Sequence, residues 1–212
     1  GAPSHSIHLK PLAEDALSLP VRTGKARVIG IEPASLVTKS LVREVKTDDA
    51  GCFQSALNPG LTKIAVIERH KRTGKLGIGI LEGYGLTGGA IATTISHDSH
   101  NIVVAGDNDP DMLLAVRELA DMGGGIVSVH GGAIRRLPLP IAGLMTSADP
   151  QEVNAVLHDM LVAARAELGI PEDVEPFMTL SFMALPVIPE LKLTARGLFN
   201  VNTFSFVGVE AD

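Results

Sequence analysis

Apolar residues alternate with period two through much of this chain, and only three stretches repeat at the three-and-four spacing of a helix. Residues 25–31 alternate as a strand that Glu32-Pro33 breaks, and Leu36, Leu41, Val42 and Val45 then predict a short helix over 35–45. Residues 46–61 carry Asp48, Asp49, Gly51, Asn58, Pro59 and Gly60, and read as loop. Residues 63–69 and 76–81 flank the turn Arg72-Thr73-Gly74-Lys75 and predict a β-hairpin. Two further strands follow, over 90–95 and 102–105. A helix over 112–122 has Asp109 as its predicted cap and Pro110 in its first turn, and Gly123 to Gly125 end it. A second hairpin joins 126–130 to 133–137 through Gly131-Gly132. Asp149-Pro150-Gln151-Glu152 opens a helix that runs to Leu168 and stops at Gly169. Residues 177–184 and 204–209 read as strands, and 138–145 and 185–194 as extended apolar segments broken by proline.

Strands thus come in runs rather than in strict alternation with helices. The predicted class is α+β: a mostly antiparallel sheet covered by about three helices, with no TIM barrel in this chain. Residues 1–24 are polar and proline-spaced and read as an N-terminal arm, with one domain over 25–212. The opening Gly1-Ala2-Pro3-Ser4 has no initiator Met and reads as a remnant of a tag, so the chain is expected to be cut from something longer.

The glycines at 83, 85 and 88 match G-x-G-x-x-G, but β-branched residues follow where a phosphate-binding loop needs a helix. That reading is rejected. A net charge of −6 with dispersed lysines and arginines, and 3% aromatic content, excludes nucleic acid as a partner. No run reaches the ~18 apolar residues of a membrane span. The single cysteine, Cys52, fits a reducing compartment, and the expected location is cytoplasmic.

Chemistry concentrates at one place. Between the strands over 90–95 and 102–105 lie His97, Asp98, Ser99, His100 and Asn101: two imidazoles, a carboxylate, a hydroxyl and an amide in five residues. His97, Asp98 and His100 are the candidate catalytic groups, and Ser99 and Asn101 the candidate substrate-binding groups. Imidazole and carboxylate also suit metals, but His97-x-x-His100 supplies too few ligands for a self-contained site, so no metal ligand is assigned. The competing reading makes Asp98 and Ser99 the bonding residues of a turn and one histidine a hydrogen-bonded linker. His5 and His8 lie in the arm, His70 by a hairpin turn, His130 at Gly131-Gly132 and His158 within a helix. Glu190 and Lys192 could pair at the surface, and Met145, Met160, Met178 and Met183 read as core filler.

Five long motifs occur in order: Gly-Ala-Ile-Ala-Thr-Thr-Ile-Ser-His-Asp-Ser-His-Asn-Ile-Val-Val at 89–104, Asp-Met-Leu-Leu-Ala-Val at 111–116, Met-Gly-Gly-Gly at 122–125, Leu-Pro-Leu-Pro-Ile-Ala-Gly-Leu-Met at 137–145, and Pro-Phe-Met-Thr-Leu-Ser-Phe-Met-Ala-Leu-Pro-Val-Ile-Pro-Glu-Leu-Lys-Leu-Thr at 176–194. Together, across roughly residues 26–207, they resemble the C-terminal domain of bacterial adenine deaminases of the amidohydrolase superfamily. The resemblance implies hydrolysis of adenine to hypoxanthine and ammonia, a step of purine salvage, by a hydroxide on a binuclear iron or manganese centre. In that family the metals sit in a catalytic (β/α)₈ barrel preceding this domain. Here there is no His-x-His pair and no room for the barrel, so this chain alone is predicted inactive. The implied partners are the missing barrel, adenine and further copies in a homo-oligomer. The alternative is a stand-alone, non-catalytic purine-binding or oligomerisation module built on the same scaffold.

Overall fold

A computed structural model of the protein describes residues 7–96 and 99–212. Eleven strands and three α-helices are found among them, with one 3₁₀ turn at Ser55–Leu57. Strands β1 (Lys25–Ile31), β2 (Thr38–Glu44), β3 (Leu61–Ile67), β4 (Leu76–Glu82), β5 (Gly89–Thr93) and β6 (Ile102–Gly106) precede helix α1 (Asp109–Asp121). Strands β7 (Gly125–His130) and β8 (Ala133–Pro138) lead to helices α2 (Pro150–Ala166) and α3 (Pro176–Met183), and β9 (Leu191–Thr194), β10 (Gly197–Asn200) and β11 (Ser205–Val207) close the chain.

One eight-stranded sheet, in the order β2-β1-β4-β3-β6-β5-β7-β8, forms the middle of the fold. Its pairs are antiparallel except for β1 against β4, where Ile29 faces Leu81. Both faces of the sheet are covered. Ile64, Val66, Ile91 and Val103 point to one layer, made by α2, α3 and the small three-stranded sheet β11-β10-β9. Ala65, Ile67, Ala92 and Val104 point to the other, made by α1 and by Leu9, Leu12 and Leu17 of the arm. β5 and β6 are therefore buried at every residue. This explains why they read as unbroken apolar runs, a pattern more common in parallel sheets. The predicted α+β class stands, with a mostly antiparallel sheet and three helices.

Three sequence readings are corrected. Residues 35–45 are no helix: β2 runs back along the whole of β1, from Ile31↔Thr38 to Lys25↔Glu44. The helical spacing there marks no common face: Leu36 and Val42 remain 39% and 50% exposed, Leu41 and Val45 pack into the core from an extended chain, and Thr38 is the buried residue of the strand. Residues 177–184 are no strand: α3 begins at Pro176, and the Glu175 carboxylate caps it by accepting from the Met178 amide. Its β-prone Phe and Thr residues yield to that cap and to the burial of Phe177, Leu180 and Ser181 on one helical face. The cap of α1 is Asn108, whose Oδ1 accepts from Asp111 N at 2.9 Å. Asp109 is spent elsewhere, on the buried Lys63 ammonium 2.7 Å away, which also donates to Leu17 O.

Candidate functional site

β3 and β5 both run antiparallel to β6, so they end at the same edge of the sheet. The polar loop between β5 and β6 sits on that edge. Of the five candidate residues, His97 and Asp98 lie outside the described residues. Ser99 and His100 are exposed, and Asn101 is 9% exposed. The His100 amide donates to Ser96 O at 3.1 Å, and His100 itself adopts φ +50, the left-handed conformation that closes a turn. Ser99 Oγ lies 3.3 Å from Ser96 Oγ and 3.4 Å from the Asn101 amide. This is the hydrogen bonding of a serine that shapes a turn, and among the described residues neither partner of the hydroxyl is a base.

A side chain that the sequence reading left unremarked holds this loop in place. Arg69 follows the end of β3 and is 1% exposed. Its guanidinium donates to the His100 carbonyl and, at 3.0 Å, to the Ala142 carbonyl. Burial lowers its pKa from the ordinary arginine value. Its backbone carbonyl accepts from the His8 amide at 2.7 Å, so the arm enters the fold at the same edge. Next to it, His70 Nε2 lies 3.1 Å from Ser99 O. Thr94, just past β5, repeats the arrangement: its Oγ1 donates to Gly143 O and accepts from Gly125 N at 2.8 Å. The apolar segment 138–145 is thus tied to the loop by two buried side chains. Gly143 is required there, because a Cβ would stand 2.8 Å from Arg69 Nη1 and 3.0 Å from Thr94 Oγ1. The hint in the sequence was an arginine two residues past the apolar run Ile64 to Ile67.

The turn leading to β4 is fixed by Glu68. Burial alone would raise its pKa, but the amides of Thr73, Lys71 and His70 and the Thr73 hydroxyl bring the carboxyl down to about 2. It is a structural anion.

Beside the loop, Thr93 and Ile95 open onto an apolar cavity of about 390 Å³ that Ile126, Leu157, Phe177 and Phe182 also line. His130 and His158 are not gathered here. His130 bonds Gly88 O through Nδ1 at 2.8 Å at the opposite edge of the sheet, and His158 is exposed on α2. Lys192, read as a surface partner of Glu190, is fully buried in β9 and donates to Leu36 O at 2.7 Å, while Glu190 accepts from Ser40 N and Asn202 Nδ2. Met160 and Met183 are core, but Met145 and Met178 are 59% and 58% exposed. Among the described residues, no three His, Cys, Asp or Glu side chains come together as a metal site. The described residues therefore do not assemble the ligand set of a binuclear centre. What the edge offers is an exposed imidazole and hydroxyl beside an apolar hollow, with the Asn101 side chain buried at their root.

Comparison with known proteins gives this geometry its setting. The sequence model of the adenine deaminase C-terminal domain matches residues 35–205. The adenine deaminase of Nitratidesulfovibrio vulgaris (strain Hildenborough) is 58% identical over 205 residues, which is 96% of this chain and 35% of that protein. Adenine deaminase 2 of Carboxydothermus hydrogenoformans is 47% identical over 206 residues, 97% of this chain and 36% of the relative. The adenine deaminase of Clostridium acetobutylicum is 44% identical over 205 residues, 96% of this chain and 36% of the relative. The chain spans little more than a third of the length of these relatives. On its fold-wide match and these identities, the chain belongs to the adenine deaminase C-terminal domain family.

Proposed function

We propose that this chain serves as the C-terminal domain of an adenine deaminase, an enzyme hydrolysing adenine to hypoxanthine and ammonia. The observation that carries the proposal is the 58% identity held across 96% of the chain but only 35% of the relative. In this reading the binuclear iron or manganese centre and the water it activates belong to a catalytic barrel outside this chain. Adenine is the substrate, the assembly is a homo-oligomer, and the compartment is the cytoplasm. No helix among the described residues is long and apolar enough to cross a membrane.

The part of this chain in the reaction is to present the 96–101 loop to the purine pocket. His100 and Ser99 are exposed at the sheet edge, so imidazole and hydroxyl are available to a heteroaromatic ring, while the Asn101 side chain stands buried at the root of β6. Arg69 acts as a positioning residue, setting the loop through the His100 carbonyl, and Thr94 ties the segment at Gly143 to the end of β5. The test is a pair of assays. This chain alone, supplied with iron or manganese, is expected to bind no stoichiometric metal and to turn over no adenine. His100→Ala in the full-length enzyme is expected to raise KM for adenine with metal content and thermal stability unchanged. Turnover by the chain alone would place the chemistry on this domain and overturn the proposal. An unchanged KM would remove His100 from the pocket.

A further inference from the structure

Helix α3 is apolar on every side, as helices enclosed by protein are, yet it lies at the outside of the fold. Phe177, Leu180 and Met183 face the core, whereas Met178 is 58% exposed and Val187, just beyond the helix, is 64% exposed. Two hollows of about 390 Å³ each flank the helix, one opening at Ile95 and Phe177 and the other at Ile31 and Leu36. Met178 and Phe182 line both, so the hollows and the helix between them make one continuous face.

Resting on the reading that this chain is one domain of a longer enzyme, we infer that the α3 face is the seat of the upstream part of the same polypeptide. Three observations select that occupant. First, the matched relatives carry nearly two-thirds of their length outside the segment they share with this chain, and the shared segment is a C-terminal domain. Second, the arm enters the fold at His8, bonded to Arg69 O, on the sheet edge that holds the 96–101 loop and the hollow at Ile95. His8 thus lies at the same end of the sheet as the hollow at Ile95, while Leu9, Leu12 and Leu17 pack on the α1 layer. Third, the rim is acidic. Glu32, Glu172, Asp173 and Glu175 line the hollow at Ile31; Arg165, the one cation among its described lining residues, donates to the carbonyls of Ile170, Pro171 and Val174 and lies 4.0 Å from Glu172, and Lys39 pairs with Glu32 at 2.8 Å, so carboxylates still outnumber cations at the rim. A two-fold contact between identical copies would set this rim against itself. A different surface bearing basic side chains around an apolar ridge complements it.

Carbene footprinting of this chain and of the full-length Nitratidesulfovibrio vulgaris relative reads the contact directly. The helix aligned with α3 and the residues aligned with 185–189 are expected to lose labelling several-fold in the full-length protein. The segment aligned with Phe204, 78% exposed on the small sheet, is the comparison region. In parallel, the mass of this chain in solution is measured with and without Met178→Glu, which places charge on an already exposed side chain and leaves the fold intact. An unchanged mass with α3 protected in the longer protein supports the inference. Equal labelling of α3 in both proteins overturns it, and so does a fall in mass on Met178→Glu, which would assign the face to a second copy. Footprinting involves no turnover, so failure of the adenine assay leaves this test standing, and failure here leaves that assay standing.

Discussion

Lys192 gives the sharpest quantitative test of the fold. Its ammonium is fully buried, and the partner it finds is the carbonyl of Leu36 rather than a carboxylate. Burial brings its pKa down from 10.5 to about 8. A lowered pKa on a base means that the folded state resists the proton that the unfolded chain accepts. Between about pH 8 and pH 10.5 the unfolded state binds more protons than the folded one, so stability rises with pH across that window. Below about pH 8 both states are charged and the penalty is constant. A depression of this size corresponds to roughly 3 kcal/mol. Lys192→Met keeps the length and the apolar stem and removes the titration. The assay is urea denaturation of both proteins at intervals from pH 7 to pH 10, taking the difference in unfolding free energy at each pH. The wild type is expected to gain about 2 to 3 kcal/mol relative to the variant over that range. Tyr84, whose buried phenol is pushed well above its usual 10.0 by burial and by the Glu175 charge, is common to both proteins and cancels. A difference that stays flat with pH would show that the ammonium is solvated as in water, and the burial argument for β9 would be refuted.

Other consequences follow from named contacts. Arg69→Leu removes charged donors from the His100 and Ala142 carbonyls and should cost about 3 kcal/mol, with faster amide exchange at His100 as the local readout. Gly143→Ala forces a Cβ against Arg69 Nη1 and Thr94 Oγ1 at φ +70, and thermal denaturation should register a loss of at least ~1–2 kcal/mol. Asp109→Ala strands the Lys63 ammonium, which is 3% exposed, and should cost about 3–5 kcal/mol, while Asn108→Ala removes only a cap and should cost about 1 kcal/mol. If Asp109→Ala proved the milder of the two, the assignment of cap and ion pair would be reversed.

Period-two alternation and turn glycines were enough to locate both hairpins, because the residues that make those strands also make their turns. They were not enough for β2 or α3, whose conformations are decided at a distance. Residues 38–44 are extended because β1 offers an open edge and Thr38 is held by Leu191 O, 153 residues away. α3 is helical because Glu175 caps it and the core receives Phe177, Leu180 and Ser181. The Glu-Pro step before 177 was a local signal for that helix start, and strand propensity outweighed it. For the candidate site, the concentration of polar groups at 97–101 was visible in the sequence, since it interrupts two apolar runs. The groups that hold it were not, because Arg69, Thr94 and Gly143 meet only through the sheet edge.

That separation bears on how such a domain can serve a reaction. A loop of exposed imidazole and hydroxyl is useful to a neighbouring pocket only if its position is fixed, and nothing within residues 99–101 fixes it beyond a turn. The fixing comes from outside the loop. β5 and β6 are buried on both faces, so the roots of the loop belong to the least deformable part of the sheet. The buried guanidinium of Arg69 then binds the loop's backbone and leaves the His100 side chain exposed. The side chain can therefore be exchanged without loosening its mount, whereas loss of Arg69 frees the loop with every candidate side chain still present. His100→Ala and Arg69→Leu thus separate the two contributions in the full-length enzyme. The first should change KM for adenine at constant stability. The second should lower stability as well, and Arg69→Lys, which keeps the charge but not the planar fork, should recover stability more fully than loop order. Equal behaviour of the lysine and leucine variants in amide exchange at His100, with stability restored only by lysine, would show that the geometry of the fork and not its charge sets the loop.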